Sequence, residues 1–237
     1  MRIALVGYGK MGKAIERIAL GRGHEISACV DADPSDIKQL EQGKHDAAIE
    51  FSIPETAPSN IQRCIELGIP VLSGTTGWLN KKNSIEEYCK AKEGTFFYAS
   101  NYSLGVNLFF KLNEYLAQLT KRYPEYSVSL EEIHHTQKKD APSGTAITLA
   151  EGILKHIKGK SGWALHPQAT ENEIAIQSKR IDPYPGEHTI TYRSAIDNIE
   201  IKHTAHSREG FALGAVLVAE WLRDKKGVLG MNDFMTL

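Results

Sequence analysis

The fold is decided near the start of the chain by the stretch Ile3-Ala4-Leu5-Val6-Gly7-Tyr8-Gly9-Lys10-Met11-Gly12. It begins with the apolar run of a buried strand, and apolar residues at helical spacing follow. In this pattern the glycines permit a tight turn, a close approach of the backbone to a ligand, and close packing of helix on strand. The start of the helix offers N–H groups to a pyrophosphate. The stretch therefore predicts a dinucleotide-binding unit, with an ordinary glycine turn as the alternative.

Strand-like and helix-like segments alternate through the first part of the chain. This alternation is typical of βαβ units with a parallel sheet. The predicted strands are Ile3–Val6, Glu25–Val30, Asp46–Phe51, Ile69–Leu72 and Thr95–Ala99, and the predicted helices are Met11–Leu20, Pro54–Leu67 and Leu79–Lys92.

The pattern changes after about Tyr102. Longer strands with few helices between them indicate an α+β domain with a mostly antiparallel or mixed sheet. We expect helices at Leu104–Lys121, Thr145–Ile157 and Gly210–Arg223, and strands at Tyr126–Ile133, Glu173–Ile181, His188–Arg193 and Ile199–Ala205. The last helix is expected to pack on the first domain. The prediction is an α/β protein, with a Rossmann-like parallel-sheet domain (1–103 and 209–237) and a smaller α+β domain with a mixed sheet (104–208).

The composition limits the classes of protein to consider. The chain has 237 residues, of which 41% are hydrophobic, as in ordinary soluble proteins. Its net charge of −1 gives no reason to expect nucleic acid or an anionic membrane as a partner. No apolar run reaches the roughly 18 residues that span a bilayer, and the first residues read as a strand rather than a signal peptide. Three scattered cysteines indicate neither a disulfide framework nor a zinc site, and suggest a reducing cytosol.

Asp31, at the end of the second predicted strand, bears on the choice of cofactor. It is spaced as the acid that binds the ribose hydroxyls of NAD, and its neighbours Ala32 and Asp33 supply no arginine for a 2′-phosphate. The sequence therefore favours NADH, while Lys10 leaves room for NADPH. Loops that follow strands should face the same crevice. The predicted cofactor residues are Gly7, Tyr8, Gly9, Lys10, Met11, Gly12, Asp31, Gly74, Thr75, Thr76, Ala99, Ser100, Asn101 and Tyr102.

The densest cluster of reactive side chains lies in the segment Glu132-Ile133-His134-His135-Thr136-Gln137-Lys138-Lys139-Asp140-Ala141-Pro142-Ser143-Gly144-Thr145-Ala146. Its Ser-Gly-Thr opens a predicted helix, whose N-terminus suits an anion. The histidines and lysines before it add positive charge and transferable protons. We therefore expect a small substrate that carries carboxylates and receives a proton. A metal site is not expected, because no third ligand is spaced as metal sites usually require.

This segment resembles the defining motif of the dihydrodipicolinate reductase (4-hydroxy-tetrahydrodipicolinate reductase) family, E-x-H-H-x-x-K-x-D-A-P-S-G-T-A. The resemblance covers nearly the whole chain. The other matching segments, in order, are Gly7–Gly12, Phe51–Glu55, Gly74–Gly77, Asn101–Asn107 and Gly186–His188.

The resemblance implies the reduction of a cyclic dicarboxylate to tetrahydrodipicolinate, on the route to diaminopimelate and lysine. By position, His134 matches the proton donor or acceptor and Lys138 the second proton donor, while His135, Gly144 and Thr145 match substrate contacts. The family further implies a cytoplasmic homotetramer that is joined through the sheet of the second domain. That domain would serve both substrate binding and oligomerisation. Family members close their two domains over the ligands.

The chain departs from the family pattern in two places. The stretch Asp31–Phe51 is short, so the usual sheet-edge element should be trimmed, and Ala32 stands where many members have a basic residue. Arg180 lies where an arginine often precedes Gly-Glu-His, but Ile181–Pro185 between them is unusual, so Arg180 is left out of the predicted site.

Two other functions remain open from the sequence. One is another two-domain NAD(P) amino-acid dehydrogenase, acting on homoserine, aspartate or diaminopimelate, against which the His-His-Lys segment argues. The other is a non-catalytic dinucleotide-sensing module, in which that segment would be idle.

Overall fold

The computed structural model describes residues 1–31, 33, 36–207 and 209–236. The chain divides into two compact units, Met1–Leu104 with Glu209–Leu237, and Gly105–Arg208. Ala32, on which part of the expected cofactor preference depends, lies outside the described residues.

The helices and strands are numbered in chain order. The strands are β1 (Arg2–Val6), β2 (Glu25–Val30), β3 (Ala47–Glu50), β4 (Val71–Ser73), β5 (Thr95–Tyr98), β6 (Ser127–His134), β7 (Gly162–Leu165), β8 (Glu173–Arg180), β9 (Gly186–Arg193), β10 (Asn198–Ala205) and β11 (Gly227–Gly230). The helices are α1 (Lys10–Gly21), α2 (Ala57–Glu66), α3 (Lys82–Ala91), α4 (Leu104–Thr120), α5 (Gly144–Leu154), α6 (Glu209–Leu222) and α7 (Met231–Phe234).

The first unit is built on a parallel sheet of six strands in the order β11-β5-β4-β3-β1-β2. The central strands β3 and β4 are buried throughout and apolar except for their last residues, Glu50 and Ser73, because helices cover both faces of such a sheet. Helix α6 packs on this unit, as the sequence predicts, and it carries small residues where it approaches the core. A Cβ on Gly214 would lie 1.7 Å from the carbonyl oxygen of Tyr102, so the close packing requires glycine.

The second unit contains a mixed sheet of five strands in the order β10-β9-β6-β8-β7. Strands β6, β7 and β8 are parallel, while β9 is antiparallel to both β6 and β10. Residues of α4 and α5 pack with this sheet in one apolar core. The predicted fold class, a Rossmann-like sheet with a second mixed sheet, is confirmed.

The sequence prediction missed three short elements, β7, β11 and α7. Each has four residues, which is too few for a periodic pattern to register. Between β2 and β3, in the short stretch noted above, the described residues form one 3-10 turn, Asp36–Gln39. Among the helices described, none is long and apolar enough to span a bilayer.

Candidate functional site

The glycine turn of the first unit leaves open space at one position and none at two others. Gly7 has φ +96°, and a Cβ there would lie 2.1 Å from the carbonyl oxygen of Phe51. A Cβ on Gly12 would lie 2.4 Å from the carbonyl oxygen of Gly7. A Cβ on Gly9, by contrast, would meet no described atom within 4 Å. Gly7 and Gly12 are therefore needed for packing. Gly9 instead leaves the backbone exposed at the start of α1, where a helix can bind a pyrophosphate.

Two cavities lie side by side at this turn, and Gly9, Phe51 and Ser52 border both of them. The larger, of about 550 Å³, has Asp31 in its lining and receives side chains from the 53–63 segment. The smaller, of about 410 Å³, is lined by the predicted residues Lys10, Met11, Gly74, Thr75 and Thr76. The pair has the arrangement expected for the two ends of a dinucleotide at the carboxyl edge of a parallel sheet.

The loop 99–102, which the sequence predicts to bind the cofactor, does not line either of these cavities. Of the described residues that line the two cavities, none belongs to this loop. Tyr102 is buried, and its hydroxyl donates to the carbonyl oxygen of Ser73 at 2.8 Å. Asn101 accepts a hydrogen bond from the N–H of Ser103 at 2.9 Å, while Ala99 is buried and Ser100 exposed. The Tyr102 side chain thus supports the end of β4.

Glu50, which the sequence prediction missed, is fully buried at the end of β3. Its carboxylate accepts hydrogen bonds from the hydroxyls of Ser73 (2.6 Å) and Thr75 (2.8 Å) and from the N–H of Ser52 (2.9 Å). The carboxylate therefore ties together loops that border both cavities. A charged residue at the end of an otherwise apolar strand is the signal that could have found it.

Arg63, on α2, was also missed. It lines the same cavity as Asp31 although the two residues belong to different elements. Its contact with Glu66, at 3.5 Å, is a half-exposed ion pair of the kind that contributes little to stability. The residues next to Asp31 in sequence include no arginine. Arg63 therefore supplies the guanidinium of this cavity from another element.

The second candidate site lies at the carboxyl end of β6. The strand register places Glu132 beside Ser178 of β8 and beside His188 of β9. The next residue on the same face, His134, is paired with Arg180 of β8. The sheet thus collects a carboxylate, two histidines and an arginine from strands that are distant in sequence.

Glu132 is fully buried and accepts several hydrogen bonds. Both of its oxygens accept from the N–H of Ser143, at 3.1 and 3.2 Å, and Oε1 also accepts from the Ser178 hydroxyl at 2.8 Å and from Arg180 Nη2 at 3.1 Å. Burial alone would raise the pKa of Glu132, but the hydrogen bonds from the serines outweigh it and hold the pKa below its usual value. The carboxylate is therefore charged at neutral pH.

His134 and His188 are both buried and lie in T-shaped contact, with ring centroids 5.1 Å apart. A Cβ on Gly186 would lie 3.1 Å from Nε2 of His134, so glycine leaves room for the ring. Burial lowers the pKa of His134, an effect that Glu132 opposes and Lys138 reinforces. Burial and the nearby His134 lower the pKa of His188 to about 3. Both rings are thus neutral near pH 7.

The loop between β6 and α5 carries Lys138, whose ammonium pairs with Asp140 at 2.8 Å. This contact holds the pKa of Asp140 below its usual range. Arg180 donates to two carbonyl oxygens of the loop, those of Lys138 at 3.3 Å and Asp140 at 2.6 Å. Asp182 accepts from the Thr136 hydroxyl at 2.6 Å. The loop is therefore fixed to β8 and to the turn that follows it.

Helix α5 begins at Gly144, after Ser143 as its N-cap. The Ser143 hydroxyl accepts from the N–H of Ala146 at 3.2 Å and lies 3.2 Å from Nε2 of His188. The N–H groups of Gly144 and Thr145 belong to the first turn, where a helix supplies no partner of its own. Gly144 is exposed, and Thr145 and His135 are half-buried.

The side chains of Glu132, His134 and His188 also form a group with the composition of a metal site, with one ligand atom from each within 4.8 Å of the others. The third ligand comes from β9, which explains why the spacing within the 132–146 segment did not indicate it. In the described structure, however, both Glu132 oxygens already accept hydrogen bonds, one of them from the Arg180 guanidinium. That arrangement is typical of a polar network that orients side chains.

A Rossmann-type sheet with a glycine turn, together with a separate cluster of histidine, lysine and carboxylate, is typical of dinucleotide-dependent oxidoreductases. Residues 1–102 match the family model for the N-terminus of dihydrodipicolinate reductase, and residues 105–235 match the model for its C-terminus. The chain belongs to the dihydrodipicolinate reductase family and is an NAD(P)H-dependent oxidoreductase.

Individual relatives agree with this assignment. The chain is 51% identical over 236 residues to the 4-hydroxy-tetrahydrodipicolinate reductase of Christiangramia forsetii, covering 100% of this chain and 98% of the relative. It is 35% identical over 231 residues to the enzyme of that name from Methanococcoides burtonii, covering 95% and 85%. Its fold is similar, with a TM-score of 0.79, 21% identity and 99% coverage of both chains, to dipicolinate-bound dihydrodipicolinate reductase from Paenisporosarcina sp. TG-14.

Proposed function

We propose that this chain reduces 4-hydroxy-tetrahydrodipicolinate (dihydrodipicolinate) to tetrahydrodipicolinate in diaminopimelate and lysine biosynthesis. The observation that carries the proposal is the arrangement of the 132–146 segment. It places the neutral His134 ring and the Lys138 ammonium in the unit where the exposed start of α5 offers N–H groups to a carboxylate. The identity of the chain to reductases of that name extends over its whole length.

The first unit would hold the cofactor, and NADH is the proposed preference. Gly9 and the start of α1 would receive the pyrophosphate, Asp31 the adenosine ribose, and Gly74–Thr76 the nicotinamide end. When bound, the reduced nicotinamide supplies the hydride. Arg63 lines the Asp31 cavity and offers a 2′-phosphate a charged partner, which supports the use of NADPH as a second cofactor.

The second unit would hold the substrate. Gly144 and Thr145 would donate backbone N–H groups to one carboxylate, with the Thr145 hydroxyl and His135 as further contacts. The positive charges of Lys138 and Arg180 favour a dianion. A bound dianion would also raise the pKa of His134, since nearby negative charge stabilises the imidazolium.

Lys138 is the proposed proton donor to the reduced ring. Its side chain can donate a proton, whereas the lowered pKa of His134 leaves that ring neutral in the free chain. His134 would accept or relay the proton when the substrate raises its pKa. The positive charge beside the substrate stabilises the anion that develops as the hydride arrives. These steps require no metal ion.

A cytoplasmic homotetramer is the proposed state of the chain. The family resemblance implies assembly through the sheet of the second unit. Along α4, four apolar side chains at helical spacing are between 49% and 58% exposed: Leu108, Leu112, Tyr115 and Leu119. An apolar row of this kind is typical of an interaction surface, and it would add a contact on a helix to the one that the family resemblance implies for the sheet. Size-exclusion chromatography with light scattering tests the assembly, and a monomeric mass would contradict it.

A coupled assay tests the activity. The synthase that makes the cyclic dicarboxylate is run together with this chain, and NADH absorbance is followed. We expect oxidation only when the synthase and its substrates are all present. Activity instead with homoserine, aspartate or diaminopimelate and NAD(P)+ would indicate an amino-acid dehydrogenase. Cofactor binding without turnover of any of these substrates would indicate a sensing module.

A further inference from the structure

The side chain of Arg180 holds the backbone of the Lys138 loop at two carbonyl groups. Its Nε donates to the carbonyl oxygen of Lys138 at 3.3 Å, and its Nη2 donates to that of Asp140 at 2.6 Å. A third donor, Nη1, contacts the carbonyl oxygen of Lys179 at 2.8 Å, which fixes the guanidinium against its own strand. Arg180 therefore fixes the backbone at Lys138 itself and at Asp140, two residues further on.

The same guanidinium is joined to the start of α5 through Glu132. Arg180 Nη2 lies 3.1 Å from Glu132 Oε1, and the Glu132 carboxylate accepts from the N–H of Ser143, the N-cap of the helix. Glu132 is fully buried, and the Arg180 side chain is 21% exposed, so solvent weakens this pair little. The ion pair thus connects the loop that carries Lys138 with the helix start that would bind a carboxylate.

We propose that Arg180 is a positioning residue for the reaction, which sets the distance between the Lys138 ammonium and the carboxylate-binding start of α5. The proposal rests on the proposed function. The planar guanidinium contacts acceptors in several directions at once, which the single ammonium of a lysine cannot reproduce. A positive charge alone is therefore not sufficient to hold the loop. The property under test is the planar arrangement of the three guanidinium nitrogens, called the fork below.

Arg180→Lys separates the two properties, because it keeps the charge beside Glu132 and removes the fork. We expect kcat to fall about 10- to 100-fold, the scale of a reacting group displaced by about 1 Å. The KM for the dicarboxylate should rise, whereas the KM for NADH should change less than about twofold, since Arg180 lies outside the unit that would bind it. Lys155→Met, which removes an ion pair with Glu114 in the same unit, is the control and should retain wild-type kcat.

A double-mutant cycle distinguishes positioning from a purely structural role. If Arg180 acts through Lys138, Arg180→Lys should change kcat less than about threefold in a Lys138→Met background. Independent losses that multiply in the double variant would overturn the proposal. So would wild-type kcat in Arg180→Lys.

Hydrogen–deuterium exchange of the full chain gives a readout that does not depend on activity. In Arg180→Lys the amides of residues 136–146 should exchange at least about tenfold faster, while those of β1 and α1 are unchanged. Unchanged exchange in residues 136–146 would overturn the proposal. If the wild type fails to reduce the dicarboxylate, the proposed function is wrong, and the exchange experiment still decides whether Arg180 holds the loop.

Discussion

Nδ1 of His134 lies 3.4 Å from Oε2 of Glu132, and the two side chains come from alternate positions of the same strand. The contact is close enough for attraction between charges, and within the described structure Nδ1 has no aligned hydrogen-bond partner. Glu132 therefore favours a protonated His134, while burial favours the neutral ring. A histidine with such opposed influences changes its charge readily when an anion binds nearby, which suits a proton relay.

Loss of either proposed acid–base group should reduce turnover strongly. We expect His134→Gln and Lys138→Met each to lower kcat by about 10²–10⁴, the usual scale for such a group. Lys139→Met is the matched control, because Lys139 is the exposed neighbour of Lys138. Initial rates in the coupled assay give the comparison. Near-normal kcat in both variants, with Lys139→Met equally active, would remove the acid–base assignment.

Asp31 and Arg63, which both line the larger cavity, should affect the two cofactors differently. Asp31→Asn should lower kcat/KM for NADH about tenfold, because the ribose loses a charged acceptor. Arg63→Gln should lower kcat/KM for NADPH by a similar factor and leave NADH nearly unchanged, since only NADPH carries the 2′-phosphate. Kinetics with both cofactors measure this. An equal loss for both cofactors in Arg63→Gln would show that the arginine has no part in the choice.

The buried His188 should make stability depend on pH. Its pKa is about 3 in the folded chain and about 6.5 when unfolded, so the unfolded state binds the extra proton first. The stabilisation is complete above about pH 6.5 and is lost as pH falls toward the folded pKa, by up to about 1.4 kcal/mol per pH unit.

His188→Gln can still donate to the Ser143 hydroxyl but does not titrate. Between about pH 7.5 and pH 5, its melting temperature should therefore fall less than that of the wild type. Parallel curves for the two proteins would mean that other groups determine the acid sensitivity.

The same substitution should affect stability very differently at two glycines of α6, Gly214 and Gly210. Gly214→Ala should destabilise the protein by about 3 kcal/mol or more, because its Cβ would lie 1.7 Å from the Tyr102 carbonyl oxygen. Gly210→Ala, whose nearest contact is Ser103 Oγ at 3.4 Å, should change stability by less than about 1 kcal/mol. Denaturation midpoints of the two variants measure the difference, and similar midpoints would mean that α6 shifts to accept the methyl group.

The features that the sequence predicts well are local ones. A strand, a glycine turn and a helix adjoin in residues 1–21, so their pattern indicates the fold of that unit, which the structure confirms, and predicts a place for a pyrophosphate. The 132–146 segment likewise keeps His134, Lys138 and the helix start together in the chain.

The features that it predicts poorly depend on strand pairing and on packing between elements. His188 and Arg180 join Glu132 and His134 only through the register of β6 with β9 and β8. Arg63 and Asp31 share a cavity although they lie on different elements. The Tyr102 side chain packs in the core, which the position of its loop after a strand does not indicate, and the cofactor contact predicted for that loop stays a prediction. Neither register nor packing depth can be read from a motif.

Isotope transfer tests whether a hydride passes from the nicotinamide to the cyclic dicarboxylate. NADH carrying two deuterium atoms at C4 of the nicotinamide is supplied in the coupled assay, and the product is analysed by mass spectrometry. We expect one deuterium in each tetrahydrodipicolinate formed, and with Lys138→Met less product that carries the same single label. Tetrahydrodipicolinate without deuterium, or NADH oxidation that does not require the dicarboxylate, would contradict this hydride transfer.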